Sequence, residues 1–195
     1  MGFNMIIKTV VVGELETNCY IISEGESCAI IDPGAEGSKI LQAIKGDSPH
    51  IILTHAHPDH IGAVGEIMGK LKGQIYLHSF DSRWLKQMLG SAFPGLRNAE
   101  ENEIIKIGSL KSRIIHTPGH TQGSICLYLE KEGVIFTGDT LFAGGVGRTD
   151  LPGGDESALR SSLRKLMGLP GSVKVYPGHG PQTTIKKEKD NWMIR

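Results

Sequence analysis

The sequence predicts an α/β sandwich, with two β-sheets facing each other and helices on the outer faces. Three observations point to it. Short β-type runs followed by an amphipathic helical stripe occur in that order twice along the 195 residues. No linker or low-complexity tract separates the two halves. The most polar side chains fall where apolar runs end, as in "HIILTHAHPDH" (residues 50–60).

The elements follow in order. "MIIKTVVVG", "CYIIS" and "CAIIDPG" are β-branched runs separated by turn residues, which predicts antiparallel pairing. "GSKILQAIKG" reads as a short helix and "HIILT" as a strand. Over residues 59–71, Ile61, Val64, Ile67, Met68 and Leu71 form one helical stripe, with Pro58 suited to the first turn. "QIYLH" is a strand, and "SFDSRWLKQMLG" an amphipathic helix with Ser79 as N-cap and Gly90 beyond its end. The second half repeats the order with "EIIKIG", "LKSRIIH", "SICLYLE" and "VIFTGD". The helix "DESALRSSLRKLMG" follows, with Leu159, Leu163 and Leu166 on one face, then the strand "VKVYPG" and a charged tail. Residues 91–102, "SAFPGLRNAEEN", form the longest stretch without a clear element. They read as a solvated connection, with a lid over a site as the alternative.

Length and charge bound the function. The chain suits one domain spanning 1–195 and can bury a sizeable core. Lysine plus arginine total 21 and aspartate plus glutamate total 21, so no net field recruits nucleic acid or an anionic membrane. Cys19, Cys28 and Cys126 form no C-x-x-C pair, and each lies in a β-like run as a small buried hydrophobe. No signal-type apolar segment opens the chain and nowhere do 18 apolar residues run together, which reads as a cytoplasmic protein.

The histidines carry the chemistry. Five of eight sit at strand ends: His55, His57 and His60 in "THAHPDH", His120 in "TPGHT" and His179 in "YPGHG". Asp59 and Asp139 ("FTGDTLF") join them. Imidazole and carboxylate suit zinc, and also iron or manganese. Seven nitrogen and oxygen ligands exceed one tetrahedral ion and suit two ions sharing a carboxylate and a water. His50, His78 and His116 read as hydrogen-bonded structural residues.

"THAHPDH", "TPGHT", "FTGDTLF" and "YPGHG", in this order over residues 54–180, resemble the signature motifs of the metallo-β-lactamase fold, a four-layer αββα sandwich. The resemblance implies two divalent metal ions, zinc first, with iron or manganese as alternatives. It places His55, His57 and His120 on one ion, Asp59, His60 and His179 on the other, and Asp139 between them. β-Lactamases of the common zinc class have cysteine at the position of Asp139, which argues against antibiotic hydrolysis.

"LFAGGVGRTDLPGGD" together with "YPGHGPQTT" most resembles the short type II glyoxalases, or hydroxyacylglutathione hydrolases. That likeness implies a small-molecule thioester substrate such as S-lactoylglutathione, cleaved by water activated between the ions and oriented by Asp59. Two-domain relatives continue into a helical domain that grips glutathione. Only residues 180–195 follow His179 here, so that grip is not expected and the thiol carrier stays open. Thr54 and Asp32 ("IIDPG") are candidates to support the ligands, though Asp32 could equally cap a turn. Arg148 has two readings: a bidentate contact to a substrate carboxylate, or an internal pair with Asp150 in "GRTD". Rival functions are a mononuclear-iron persulfide dioxygenase of the same fold and a metallo-hydrolase for another small ester or thioester. The oligomeric state is not legible.

Overall fold

The computed structural model describes residues 5–44, 49–89 and 95–193. The first half gives β1 (Ile6–Val12), β2 (Thr17–Glu24), β3 (Ser27–Ile31), α1 (Gly37–Leu41), β4 (His50–Ile52), α2 (Pro58–Ile61), α3 (Val64–Met68), β5 (Ile75–Leu77), a 3-10 turn Ser79–Asp81, α4 (Ser82–Leu89) and β6 (Leu96–Asn98). The second gives β7 (Ile104–Ile107), β8 (Leu110–His116), β9 (Ile125–Leu129), β10 (Val134–Gly138), the ribbon β11 (Leu141–Phe142) and β12 (Gly145–Val146), α5 (Glu156–Met167), β13 (Lys174–Pro177), β14 (Thr183–Thr184) and α6 (Ile185–Met193).

One sheet runs β1-β2-β3-β4-β5-β6, antiparallel through β3 and parallel from there on. The other runs β14-β13-β10-β9-β8-β7, with β10 and β13 its parallel pair.

Successive side chains of a strand point to opposite faces, so a strand covered on both sides buries two sets of residues. Tyr20, Ile22, Ile31, Ile52, Leu127, Phe136 and Tyr176 meet between the sheets. Their neighbours Ile21, Ile30, Ile51 and Leu53 point outward onto Ile40, Ile61, Val64, Ile67 and Leu85 of the first helical layer. Ile135 and Val175 point outward onto Leu159, Leu163 and Leu166 of α5. Helix, sheet, sheet and helix are therefore stacked in four layers. Cys19, Cys28 and Cys126 are buried and unbridged. No helix among the described residues is long and apolar enough to cross a membrane.

Four local expectations change. The stripe over 59–71 divides into α2 and α3 where the chain meets the Pro33–Gly34 turn. There the Ala63 N–H donates to the Pro33 carbonyl at 3.0 Å, and a Cβ on Gly62 would lie 2.4 Å from the Gly34 oxygen. Ser79 is not the cap of a helix: His78 caps the 3-10 turn, its Nδ1 accepting from the Phe80 N–H at 3.3 Å, and α4 begins only at Ser82. Gly90 and residues 91–94 lie outside the described residues, but Leu96–Asn98 is a strand, added in parallel to β5. The charged tail is β14 and α6, anchored by buried Ile185 and Glu188.

Candidate metal centre

The seven residues come from loops at one edge of the sandwich. His55 and His57 lie in the turn from β4 into α2, and Asp59 and His60 in the first turn of α2. His120 lies in the β8–β9 loop, Asp139 directly after β10, and His179 directly after β13. These loops bring all seven together. Ligand-type atoms of His55, His57 and His120 lie within 4.8 Å of one another, and so do those of Asp59, His60 and His179.

His57 Nδ1 is 2.9 Å from His120 Nε2 in the first group. His60 Nε2 is 3.3 Å from His179 Nε2 in the second. Asp139 stands between: its Oδ2 is 3.6 Å from Nε2 of both His120 and His179, and its Oδ1 is 3.3 Å from His60 Nε2.

In four of the five histidines the inward nitrogen is fixed by the bond its partner nitrogen makes outward. His120 Nδ1 is 2.8 Å from the Arg148 carbonyl oxygen, His179 Nδ1 is 2.9 Å from that of Leu15, and His60 Nδ1 is 2.9 Å from Asp32 Oδ2. His55 Nδ1 lies 3.0 Å from Thr54 Oγ1, which itself donates to Asp32 Oδ2 at 2.6 Å. Backbone room matters as much. A Cβ on Gly178 would fall 2.2 Å from Asp139 Oδ1 and 2.8 Å from His60 Cε1, so only glycine lets this turn approach the cluster.

The donor set fits divalent ions. His55 is buried and its Nε2 has no hydrogen-bond partner among the described residues, which costs free energy unless an ion takes it. Two imidazole nitrogens on one tetrahedral zinc lie about 3.3 Å apart, close to the observed spacings. Burial, and then the crowd of neighbouring imidazoles, holds His55 well below the ordinary histidine range, which favours the neutral, ligating form. Burial also opposes charge on His60, but Asp32 and Asp139 outweigh it and hold that imidazole well above its usual value. Asp59 and Asp139 lie within ion-pair distance only of histidines among the described residues, so a cation bound at the cluster would meet both carboxylates.

Residues 12–179 match the metallo-beta-lactamase superfamily. The chain belongs to the metallo-β-lactamase superfamily. Similar relatives within it span nearly the whole chain. The hydroxyacylglutathione hydrolase GloC of Haemophilus influenzae is 36% identical over 202 residues, covering 95% of each protein. The crystal structure of the BLEG-1 B3 metallo-β-lactamase superposes with a TM-score of 0.85 at 34% identity, covering 95% of this chain and 97% of that one. A di-iron-bound form of TTHA1623 superposes with a TM-score of 0.81 at 37% identity, covering 94% of this chain and 98% of that one.

Three further residues support the superfamily's loops, and sequence reasoning singled out only Asp32. Asp32 is buried, has φ 51°, and accepts from the Thr54 N–H at 2.7 Å besides Thr54 Oγ1 and His60. It is therefore a support of the cluster rather than a simple turn cap. Asp81, equally buried, accepts from the Ala56 N–H (3.0 Å), Thr121 Oγ1 (2.8 Å) and the Gly123 N–H (2.8 Å), joining the His55–His57 turn to the His120 loop. Asn18 Nδ2 donates to the Pro177 and Gly180 carbonyls at 3.0 and 2.9 Å, fastening the His179 turn to the opposite sheet.

Arg148 meets the cluster through its backbone carbonyl, while its guanidinium donates to both oxygens of Asp150 at 2.7 and 2.6 Å. The described side chains of the three remaining histidines lie outside the cluster. His78 and His116 stack with centroids 4.0 Å apart, and His50 packs edge-on against Tyr76.

Proposed function

We propose that the chain is a dinuclear metal-dependent hydrolase that cleaves a small 2-hydroxyacyl thioester of the S-lactoylglutathione type. One observation carries the two-ion reading: Asp139 Oδ2 is equally distant, at 3.6 Å, from one histidine of each group. Bound divalent ions supply Lewis acidity towards a carbonyl oxygen and lower the pKa of water towards neutrality. His55, His57 and His120 would hold one ion, Asp59, His60 and His179 the other, and Asp139 both. Zinc, iron and manganese all suit these donors.

The protein's own part is to orient. Asp59 Oδ2, steadied by the Thr17 hydroxyl at 3.2 Å, faces His60 and His179 from the half-open side of the cluster. There it can accept a hydrogen bond from water and so aim a water lone pair at an acyl carbon. A thiol has a pKa of about 8.5, so a thiolate leaves without a strong acid to protonate it. The reading takes residues 1–195 as one hydrolase domain. Its support is the likeness to GloC along 95% of each chain.

The likeness to BLEG-1 supports a second reading, opening of a β-lactam amide, and weakens the exclusion drawn from Asp139. The test is direct. Metal-loaded protein should contain close to two ions per chain and release thiol from S-lactoylglutathione, and His57→Ala should cut that rate roughly 100-fold or more while the fold persists. β-Lactam turnover with the thioester left intact would transfer the assignment to the second reading. One tightly held iron together with oxygen uptake on glutathione persulfide would overturn both.

A further inference from the structure

Beside His57 lies a cavity of about 370 Å³ whose walls are mostly carbon, supplied by Pro58, Trp84 of α4, Leu151 and Pro152. Gln87 is the polar exception in the wall. Asp81 and Thr121 reach the cavity, but their polar atoms are already engaged. Thr121 Oγ1 is bonded to Asp81 and lies 2.8 Å from Ser124 Oγ, while both Asp81 oxygens accept bonds from the loops. No lysine or arginine lines it among the described residues.

One of the large apolar side chains left exposed stands in this wall: Trp84 is 47% exposed. An exposed aromatic group in the wall of a concave site marks where a ligand covers it.

We propose that this cavity is an acyl pocket, and that the preferred substrates carry an apolar alkyl or aryl group next to the scissile carbonyl. The proposal rests on the acyl-hydrolase reading and narrows its substrate class. A carbonyl held at the His/Asp cluster has two substituents. The polar carrier of a thioester, with its amides and carboxylates, would leave those groups unpaired against Trp84, Leu151 and Pro152, and such burial is costly. The apolar acyl substituent meets no such penalty. A lactoyl group, with one methyl and one hydroxyl, would leave most of the cavity unused.

The experiment uses metal-loaded protein and thioesters of one thiol, N-acetylcysteamine, with acetyl, butyryl, hexanoyl and phenylacetyl groups. The expected result is a kcat/KM that rises roughly fourfold per buried methylene until the cavity is full. Trp84→Ala should flatten that rise, losing more on hexanoyl and phenylacetyl than on acetyl, with its melting temperature kept because the side chain is half exposed. A flat series, or a slope that survives Trp84→Ala, overturns the pocket. If every thioester of the series stays intact, turnover of S-lactoylglutathione decides the hydrolase reading, and binding decides the cavity separately. Hexanoate and phenylacetate should then bind the wild type and bind Trp84→Ala at least tenfold more weakly by calorimetry, and equal or absent binding overturns it.

Discussion

Asp32 sits where the backbone turns left-handed, a conformation aspartate tolerates better than most residues. From there it orients one imidazole directly and a second through the Thr54 hydroxyl. An amide in its place keeps the size but turns one acceptor oxygen into a donor facing N–H and O–H groups. Asp32→Asn is therefore expected to weaken metal affinity 10- to 100-fold in chelator competition, a loss that a purely structural role would not produce. Asp81→Asn should show the same kind of loss confined to the His55–His57–His120 group, and about 1–3 kcal/mol of stability in urea. An Asp81→Asn protein with unchanged metal affinity would reduce Asp81 to a packing role. For Arg148, the bidentate bond to Asp150 predicts that Arg148→Ala leaves KM for an anionic thioester unaltered, and a rise in KM would restore the substrate contact. The histidines were legible because their spacing within "THAHPDH" is itself a pattern. Asp81 and Asn18 were not, since their partners lie 25 to 162 residues away and single polar residues after β-type runs are commonplace.

Elements were legible in proportion to how many apolar residues each buries. β9 and β10 are buried throughout, and their runs stand out in the sequence. β6 has three residues, only the first partly buried, and exists because β5 offers it a free edge. α6 is mostly charged, and what makes it part of the fold is Glu188. That side chain accepts from Thr183 Oγ1 at 2.6 Å and from the Gly144 N–H at 2.8 Å, tying the C-terminal helix to the β11–β12 ribbon beyond Asp139. Glu188→Ala leaves the buried Thr183 hydroxyl without its acceptor and is expected to cost about 1–3 kcal/mol in urea denaturation. Unchanged stability would mean that the ribbon is fastened elsewhere.

Across the whole molecule, the first half contributes His55, His57, Asp59 and His60, and the second contributes His120, Asp139 and His179. Ions held there would fasten the halves together, while three separate apolar clusters hold the layers without them. Stripping the metal with a chelator should therefore lower the melting temperature, by the equivalent of about 4 kcal/mol where free metal had stood at a thousand times Kd, and leave the far-ultraviolet circular dichroism of the fold in place. Loss of that spectrum would show that the sandwich depends on its ions. The shared carboxylates have a further consequence on the two-ion reading. Asp139 faces both groups, and Asp32 aligns His55 of one and His60 of the other, so filling either position pre-arranges its neighbour. Occupancy would then be cooperative: with half an equivalent of metal, native mass spectrometry should find bare chains and chains with a full pair, and few that carry a single ion.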